Sequence, residues 1–133
     1  MVYRGDLRGE ILELSDIFVE NSAVIKGMLE LCSGDVIPLL YEDMDEDLLR
    51  KSESMLRYCV GERDKRLEKF VGEYMVDGNI LEIGRMLNMV HFYDIGVLED
   101  YLVGYFGDRI RSCKDVLEME ELFGGKDYKY FFM

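Results

Sequence analysis

The sequence predicts an α+β domain: a small three-stranded sheet with helices, followed by C-terminal helices. Three observations predict it. Two short alternating stretches stand near the start, and an apolar run with the only proline follows at Val36–Tyr41. From Glu42 onward, apolar residues recur at helical spacing. The 133 residues fit a single domain, long enough to bury a core.

Val2-Tyr3-Arg4 and Glu10-Ile11-Leu12-Glu13-Leu14 read as two strands of a hairpin, with Gly5-Asp6-Leu7-Arg8-Gly9 between them as turn material. Ser15 or Asp16 is placed to cap a short helical turn over Ile17, Phe18 and Val19. Ser22 is a second cap, for a helix with Val24, Ile25, Met28, Leu29 and Cys32 at helical spacing, ended by Ser33-Gly34-Asp35. Val36-Ile37-Pro38-Leu39-Leu40-Tyr41 reads as a third strand, and Pro38 assigns it to a sheet edge or a strand end.

The acidic run from Glu42 to Asp47 suits a helix N-terminus, where the dipole favours negative charge. Leu48, Leu49, Ser52, Met55, Leu56 and Cys59 then share one helical face. Glu62 to Arg66 reads as a solvated connection, and Phe70, Val71, Tyr74 and Met75 as a short helix packing back. Asn79 is placed to cap the central helix, Ile80 to Tyr93. At ~100° per residue, Ile80, Ile83, Met86, Leu87 and Val90 form its core stripe. Leu81, Glu82, Arg85, Asn88, Met89 and Phe92 fall opposite. Phe92 is thus a large aromatic on the polar side, to be covered by a neighbouring segment or by a partner protein.

Asp94 is the expected N-cap of the next helix, which carries Val97, Leu98, Tyr101, Leu102, Tyr105, Phe106 and Ile110 at helical spacing. Gly104 and Gly107 weaken that helix, and close approach by another element is the expected compensation. Ser112-Cys113-Lys114-Asp115 matches a capping box for a last short helix through Val116, Leu117, Met119, Leu122 and Phe123, closed by Gly124-Gly125. The tail KDYKYFFM carries four aromatics and must fold back or bind something.

The net charge of −12, from 28 acidic and 16 basic residues, argues against nucleic acid and anionic membrane surfaces as partners. Hydrophobic residues at 49% argue against disorder. No apolar run approaches a membrane span, and MVYRGDLRGE has no apolar core of a signal peptide. Cys32, Cys59 and Cys113 are odd in number and far apart, as expected of small core hydrophobes in a reducing, intracellular compartment.

Catalytic signatures are scarce. His91 is the only histidine, and no His/Cys spacing suits zinc. The acidic run lacks the central glycine and closing glutamate of a calcium loop. GDLRGE is not a phosphate loop, and GxSxG is absent. The residues therefore predict no enzyme, no cofactor and no metal. A small helical enzyme with buried carboxylates is the weaker class.

Four stretches in order resemble one known family. GEILEL (Gly9 to Leu14) is similar to its second strand, and SAVIKGMLE (Ser22 to Glu30) to its SxTIKxMLE segment. VIPL (Val36 to Leu39) is similar to its IPLP-type strand, and HFYDIGVLEDYL (His91 to Leu102) to the block ending its central helix. The spacing from Cys113 to Phe123 is also like its TPEEIRKTF segment. The chain thus resembles, over about residues 9 to 124, the BTB/POZ-like fold of the S-phase-kinase-associated (Skp) family of cullin adaptors, related to elongin C.

That resemblance implies a POZ/Skp-like domain over residues 1–95 and C-terminal helices for F-box docking over 96–124, packed on the same core. It leaves an aromatic tail over 125–133. It implies a non-catalytic adaptor of an SCF-type cullin-RING ubiquitin ligase, cytoplasmic and nuclear, that links a cullin N-terminal domain to F-box proteins. The implied cullin-binding residues are Arg85, Asn88, His91 and Phe92, the last two standing at the family's Asn-Tyr pair. The implied F-box-binding residues are Leu98, Tyr101, Leu102, Tyr105, Phe106, Ile110, Leu117, Leu122 and Phe123. Two features differ from the family: His91 replaces its asparagine, and the chain has no tryptophan. The alternative is an elongin-C-like or homodimeric POZ interaction module, with a weak homodimer in isolation.

Overall fold

The computed structural model describes residues 2–31, 36–77 and 80–118. Their order is β1 (Tyr3–Leu7), β2 (Glu10–Leu14), α1 (Asp16–Asn21), α2 (Ala23–Leu31), β3 (Val36–Pro38), α3 (Glu46–Cys59), α4 (Lys65–Asp77), α5 (Ile80–Phe92) and α6 (Gly96–Arg111). A helical turn at 116–118 follows. The class is α+β, as the sequence predicts. Cys32 to Asp35, Asn79, Leu122, Phe123, Gly124-Gly125 and the tail KDYKYFFM lie outside the described residues.

The sheet order is β2-β1-β3. β1 and β2 are antiparallel, with Gly5 opposite Leu12, while β3 runs parallel to β1 with Ile37 beside Gly5. Pro38 does stand in an edge strand. The hairpin is tighter than predicted: β1 continues through Leu7, and only Arg8 and Gly9 form the turn, with φ of 51° and 92°. Positive φ at both residues matches the twist of the flanking strands. Arg8 also donates from its guanidinium to the carbonyls of Glu42, at 3.0 Å, and Met44, at 2.6 Å. The turn thereby pins the loop that follows β3. Gly5 leaves room for the Leu39 side chain, because an added Cβ would lie 2.7 Å from Leu39 Cδ1 and displace it.

Leu7, Leu12, Leu14 and Ile37 turn one sheet face toward the helices. The core continues through Phe18, Ile25, Leu48, Leu49, Met55 and Leu56 to Ile83, Met86 and Val90. Asp45 caps α3, its carboxylate accepting from Leu48 N at 2.7 Å. Ser15 caps α1, and its own N–H donates to the buried Glu53 carboxylate at 2.8 Å. Arg50 donates to the same carboxylate at 2.8 Å, so that buried charge is paired. Lys51 joins Asp47, at 3.0 Å, to Glu82, at 2.9 Å, and so ties α3 to α5.

α4 is a helix of 13 residues, longer than its scattered apolar positions indicate. Phe70 stacks on Tyr74, with centroids 5.6 Å apart. The Tyr74 hydroxyl is buried without a hydrogen-bond partner among the described residues, and burial pushes its pKa upward. Tyr74→Phe removes that desolvated group. We expect it to raise the unfolding free energy by about 1 kcal/mol, read from urea denaturation.

The α5–α6 corner departs most clearly from prediction. Asp94 does not cap α6, whose N-cap is Ile95 without a side-chain bond. Instead Asp94, at φ 52°, is the left-handed residue that ends α5. Ile95 N donates to Val90 O, and Asp94 N to His91 O, both at 3.1 Å, which is the Schellman pattern. Ile95 is fully buried and completes it. The corner is held from outside by α2. Buried Ser22 donates through Oγ to Tyr93 O at 2.6 Å while that Oγ accepts from Ile25 N at 3.1 Å. Ala23 N and Val24 N donate to Asp94 O and Tyr93 O. Exposed Asp94 strains a backbone position that glycine occupies freely. Asp94→Gly is expected to raise stability by about 0.5–1 kcal/mol, as a higher denaturation midpoint.

Three further expectations need correction. Met89, projected opposite the core stripe, is fully buried. α5 packs on both α3 and α6, so its buried arc is wider than one stripe. Among the described residues, Gly104 has no heavy atom within 4 Å of an added Cβ and Gly107 meets only the Arg111 side chain of its own helix, so neither serves close packing by another described element. The last helical turn is opened by Asp115, which accepts from Glu118 N at 2.9 Å, rather than by Ser112, whose hydroxyl donates back to Arg109 O. Glu118 Oε2 accepts in return from Lys114 N, so the cap stands three residues later than predicted and its returning bond falls on the residue before the cap.

Candidate functional site

The widened buried arc of α5 leaves a narrow outer face that holds Arg85, Asn88, His91 and Phe92. Each is fixed differently. The Arg85 guanidinium pairs with Asp43 at 3.2 Å and reaches Asp45 at 3.6 Å, and the Asp43 hydrogen bond raises its pKa. Asn88 is exposed. His91 Nδ1 lies 2.5 Å from Glu99 Oε1, which ties the end of α5 to the first turn of α6. Phe92 remains 43% exposed although Tyr41 and Tyr93 flank it, with centroids at 5.2 and 5.0 Å. A neighbouring segment therefore covers part of Phe92 and leaves the rest open.

That segment is the extended chain after β3, which brings in residues the sequence did not mark. Alternation continues past the strand: Ile37 and Leu39 are buried, while Val36, Pro38 and Leu40 face out. Leu39 N donates to Asp6 O at 2.9 Å and keeps the segment on the sheet. Leu40 is consequently 67% exposed, and Tyr41 stands beside Phe92. Leu40, Tyr41, Glu42, Asp43 and Phe92 line a hollow of about 440 Å³. A second hollow, of about 300 Å³, continues from Leu40 and Tyr41 toward Arg8 and Gly9. The only sequence signal for Leu40 and Tyr41 was their position between a proline and an acidic run. Burial, with Asp43 beside it, raises the Tyr41 phenol pKa, so the hydroxyl is a neutral donor on this surface.

Beneath the patch lies Tyr93, 1% exposed. Its ring meets Phe18 edge-on at 5.9 Å, and its hydroxyl accepts from Tyr41 N at 3.4 Å. Tyr93 thus connects the corner, the patch and the core.

The residues implied for F-box binding divide into three groups. Leu98 and Leu102 are fully buried in this chain's own core, which removes them from any surface. They anchor α6 to α5 and α3. Tyr101, Tyr105, Phe106 and Ile110 are half-buried along α6, and Leu117 is 69% exposed on the following turn. Tyr101 also packs against Tyr58 of α3 at 6.3 Å. Leu122 and Phe123 lie outside the described residues. Val103 on α6 and Val116 on the following turn are 50% and 58% exposed; spacing marked Val116 as part of the last short helix and did not mark Val103.

Among the described residues no group of His, Cys, Asp or Glu side chains could hold a metal ion. Burial pushes the Cys59 thiol up to about 11, so it is not a nucleophile at neutral pH. No helix among them is long and apolar enough to cross a membrane. No protein-family model matches the chain, and no curated protein sequence matches it significantly.

Proposed function

We propose that this chain is a non-catalytic adaptor of the Skp type. It joins the N-terminal helices of a cullin scaffold to an F-box substrate receptor in a ubiquitin ligase. One observation carries the reading. A large aromatic, Phe92, stays 43% exposed at the rigidly ended tip of a helix whose other large apolar residues are buried or half-buried, beside exposed Leu40. Aromatic side chains over a fixed base, rimmed by polar groups, are what helix-to-helix interfaces use as hot spots. Arg85, Asn88 and His91 supply that rim, and the hollow beside Phe92 has room for a partner's apolar side chain. The half-buried Tyr101, Tyr105 and Phe106 of α6, which flank its buried Leu98 and Leu102, supply with exposed Leu117 the receptor side of the same adaptor.

The strand and helix order, and the four stretches similar to the Skp family, support the same reading. α6 favours a Skp-type over an elongin-C-like arrangement, since its Leu98 and Leu102 belong to the core. A pull-down of the full chain with a cullin N-terminal domain, and separately with an F-box fragment, tests both sides. Retention of both partners is the expected result.

A second reading has one observation in its favour. Exposed Ile11 and Val36 share the outer face of the sheet, where a second copy of the chain could pair. Sedimentation at micromolar concentration separates that homodimer from the monomeric adaptor.

A further inference from the structure

A groove of about 660 Å³ runs between the C-terminal half of α3 and the start of α4, away from both surfaces described above. Its floor is apolar: Leu67 is 5% exposed and Phe70 is half-buried. Its walls carry Ser54, Arg57, Asp64, Lys65 and Arg66, three cations against one carboxylate. From Arg57 to Lys69 the chain holds five Lys or Arg against three Asp or Glu, a local excess of two positive charges in a protein of net charge −12.

Most of these cations are already committed. Arg57 pairs with Glu62 at 2.8 Å and with Asp64 at 3.6 Å. Arg63 lies over the Tyr58 ring, 4.2 Å from its centroid, and donates to Tyr58 O. Lys69 reaches Glu73 at 4.0 Å. Asp64 turns its carboxylate into the helix end, accepting from Leu67 N at 2.7 Å. Lys65 and Arg66 are exposed and have no ion pair among the described residues. They stand beside the apolar floor at the positive end of α4.

We infer that this groove docks an acidic segment of a partner protein that carries an apolar anchor. The anchor sits over Leu67 and Phe70, and carboxylates of the segment face Lys65 and Arg66. Charge complementarity selects this occupant. With a screening length of about 10 Å at 0.1 M salt, the charges lining the groove, three cations against Asp64, act on a short acidic segment more strongly than the acidic surface farther away. A nucleic acid would extend past the patch onto that acidic surface, and its phosphates would make no use of the apolar floor. The inference stands apart from the adaptor reading and uses none of its residues.

The test is fluorescence anisotropy on the full chain. The probe is a labelled helical peptide with leucine and phenylalanine on one face and glutamate on the other. Binding that weakens with added salt is expected. Lys65→Glu/Arg66→Glu is expected to lower affinity at least tenfold. Both positions lie in the first turn of α4, where acidic residues complement the dipole, so the variant stays folded. A control peptide with serine for its leucines and phenylalanines is expected to bind at least tenfold more weakly. Equal affinity for the variant, equal affinity for the control peptide, or no binding would each overturn the inference. Self-association of the chain that the double variant abolishes would also overturn it, by making a second copy the occupant.

Discussion

Tyr93→Ala is expected to lower the unfolding free energy by about 3–5 kcal/mol, the range for removing a fully buried large aromatic. The ring is 1% exposed and fills the space between Phe18 and Phe92. Its loss leaves a void below the corner where α5 turns into α6 and α2 is bonded. Tyr93→Phe keeps the ring and loses only a long hydrogen bond, 3.4 Å from Tyr41 N, so its cost is about 1 kcal/mol or less. Urea denaturation of the two variants therefore separates packing from hydrogen bonding at one position. Because Tyr41 and Phe92 both rest on this ring, Tyr93→Ala is also expected to loosen the exposed patch.

Phe92→Ala is expected to act in the opposite way, with a small effect on the fold and a large one on recognition. The side chain is 43% exposed, and among the described residues its ring contacts are with Tyr41 and Tyr93. As an interface hot spot it is expected to cost about 1–3 kcal/mol of cullin binding when truncated. The denaturation midpoint should move far less than that of Tyr93→Ala. Adjacent positions in the sequence thus divide the two roles. On the proposed adaptor reading Phe92 carries the contact, and Tyr93 carries the structure that presents it.

Much of this arrangement is legible in the sequence, for local reasons. The alternation of Glu10 to Leu14 and the helical spacing from Leu48 to Leu56 each reflect one buried face, and both elements form as read. Ser15 and Ser22 are readable caps because short side-chain oxygens before an apolar-periodic run have few other uses. Asp94 is ambiguous by composition, since aspartate suits both an N-cap and a left-handed helix end. The outcome depends on the bonds that α2 makes to the corner, 71 residues apart in sequence for Ser22 and Tyr93. Met89 is misread because a single projection assumes one covered side, whereas α3 and α6 cover two.

The candidate site is half legible. Phe92 stands out because a large aromatic falls among polar neighbours on a helix. Leu40 and Tyr41 do not, because their exposure follows from how far alternation continues after β3. That is set by the Leu39 bond to Asp6 and by Arg8 holding the loop. Leu98 and Leu102 show the reverse limit. Helical spacing finds the apolar face of α6 but does not say whether this chain or a partner covers it.

Isothermal titration of the full chain with a cullin N-terminal domain tests the adaptor reading most directly. Saturable binding by the wild-type chain, weakened about 5- to 150-fold in Phe92→Ala with a denaturation midpoint that moves far less than in Tyr93→Ala, is the predicted result. Absence of binding by the folded wild-type chain, or equal affinity for both proteins, would contradict it.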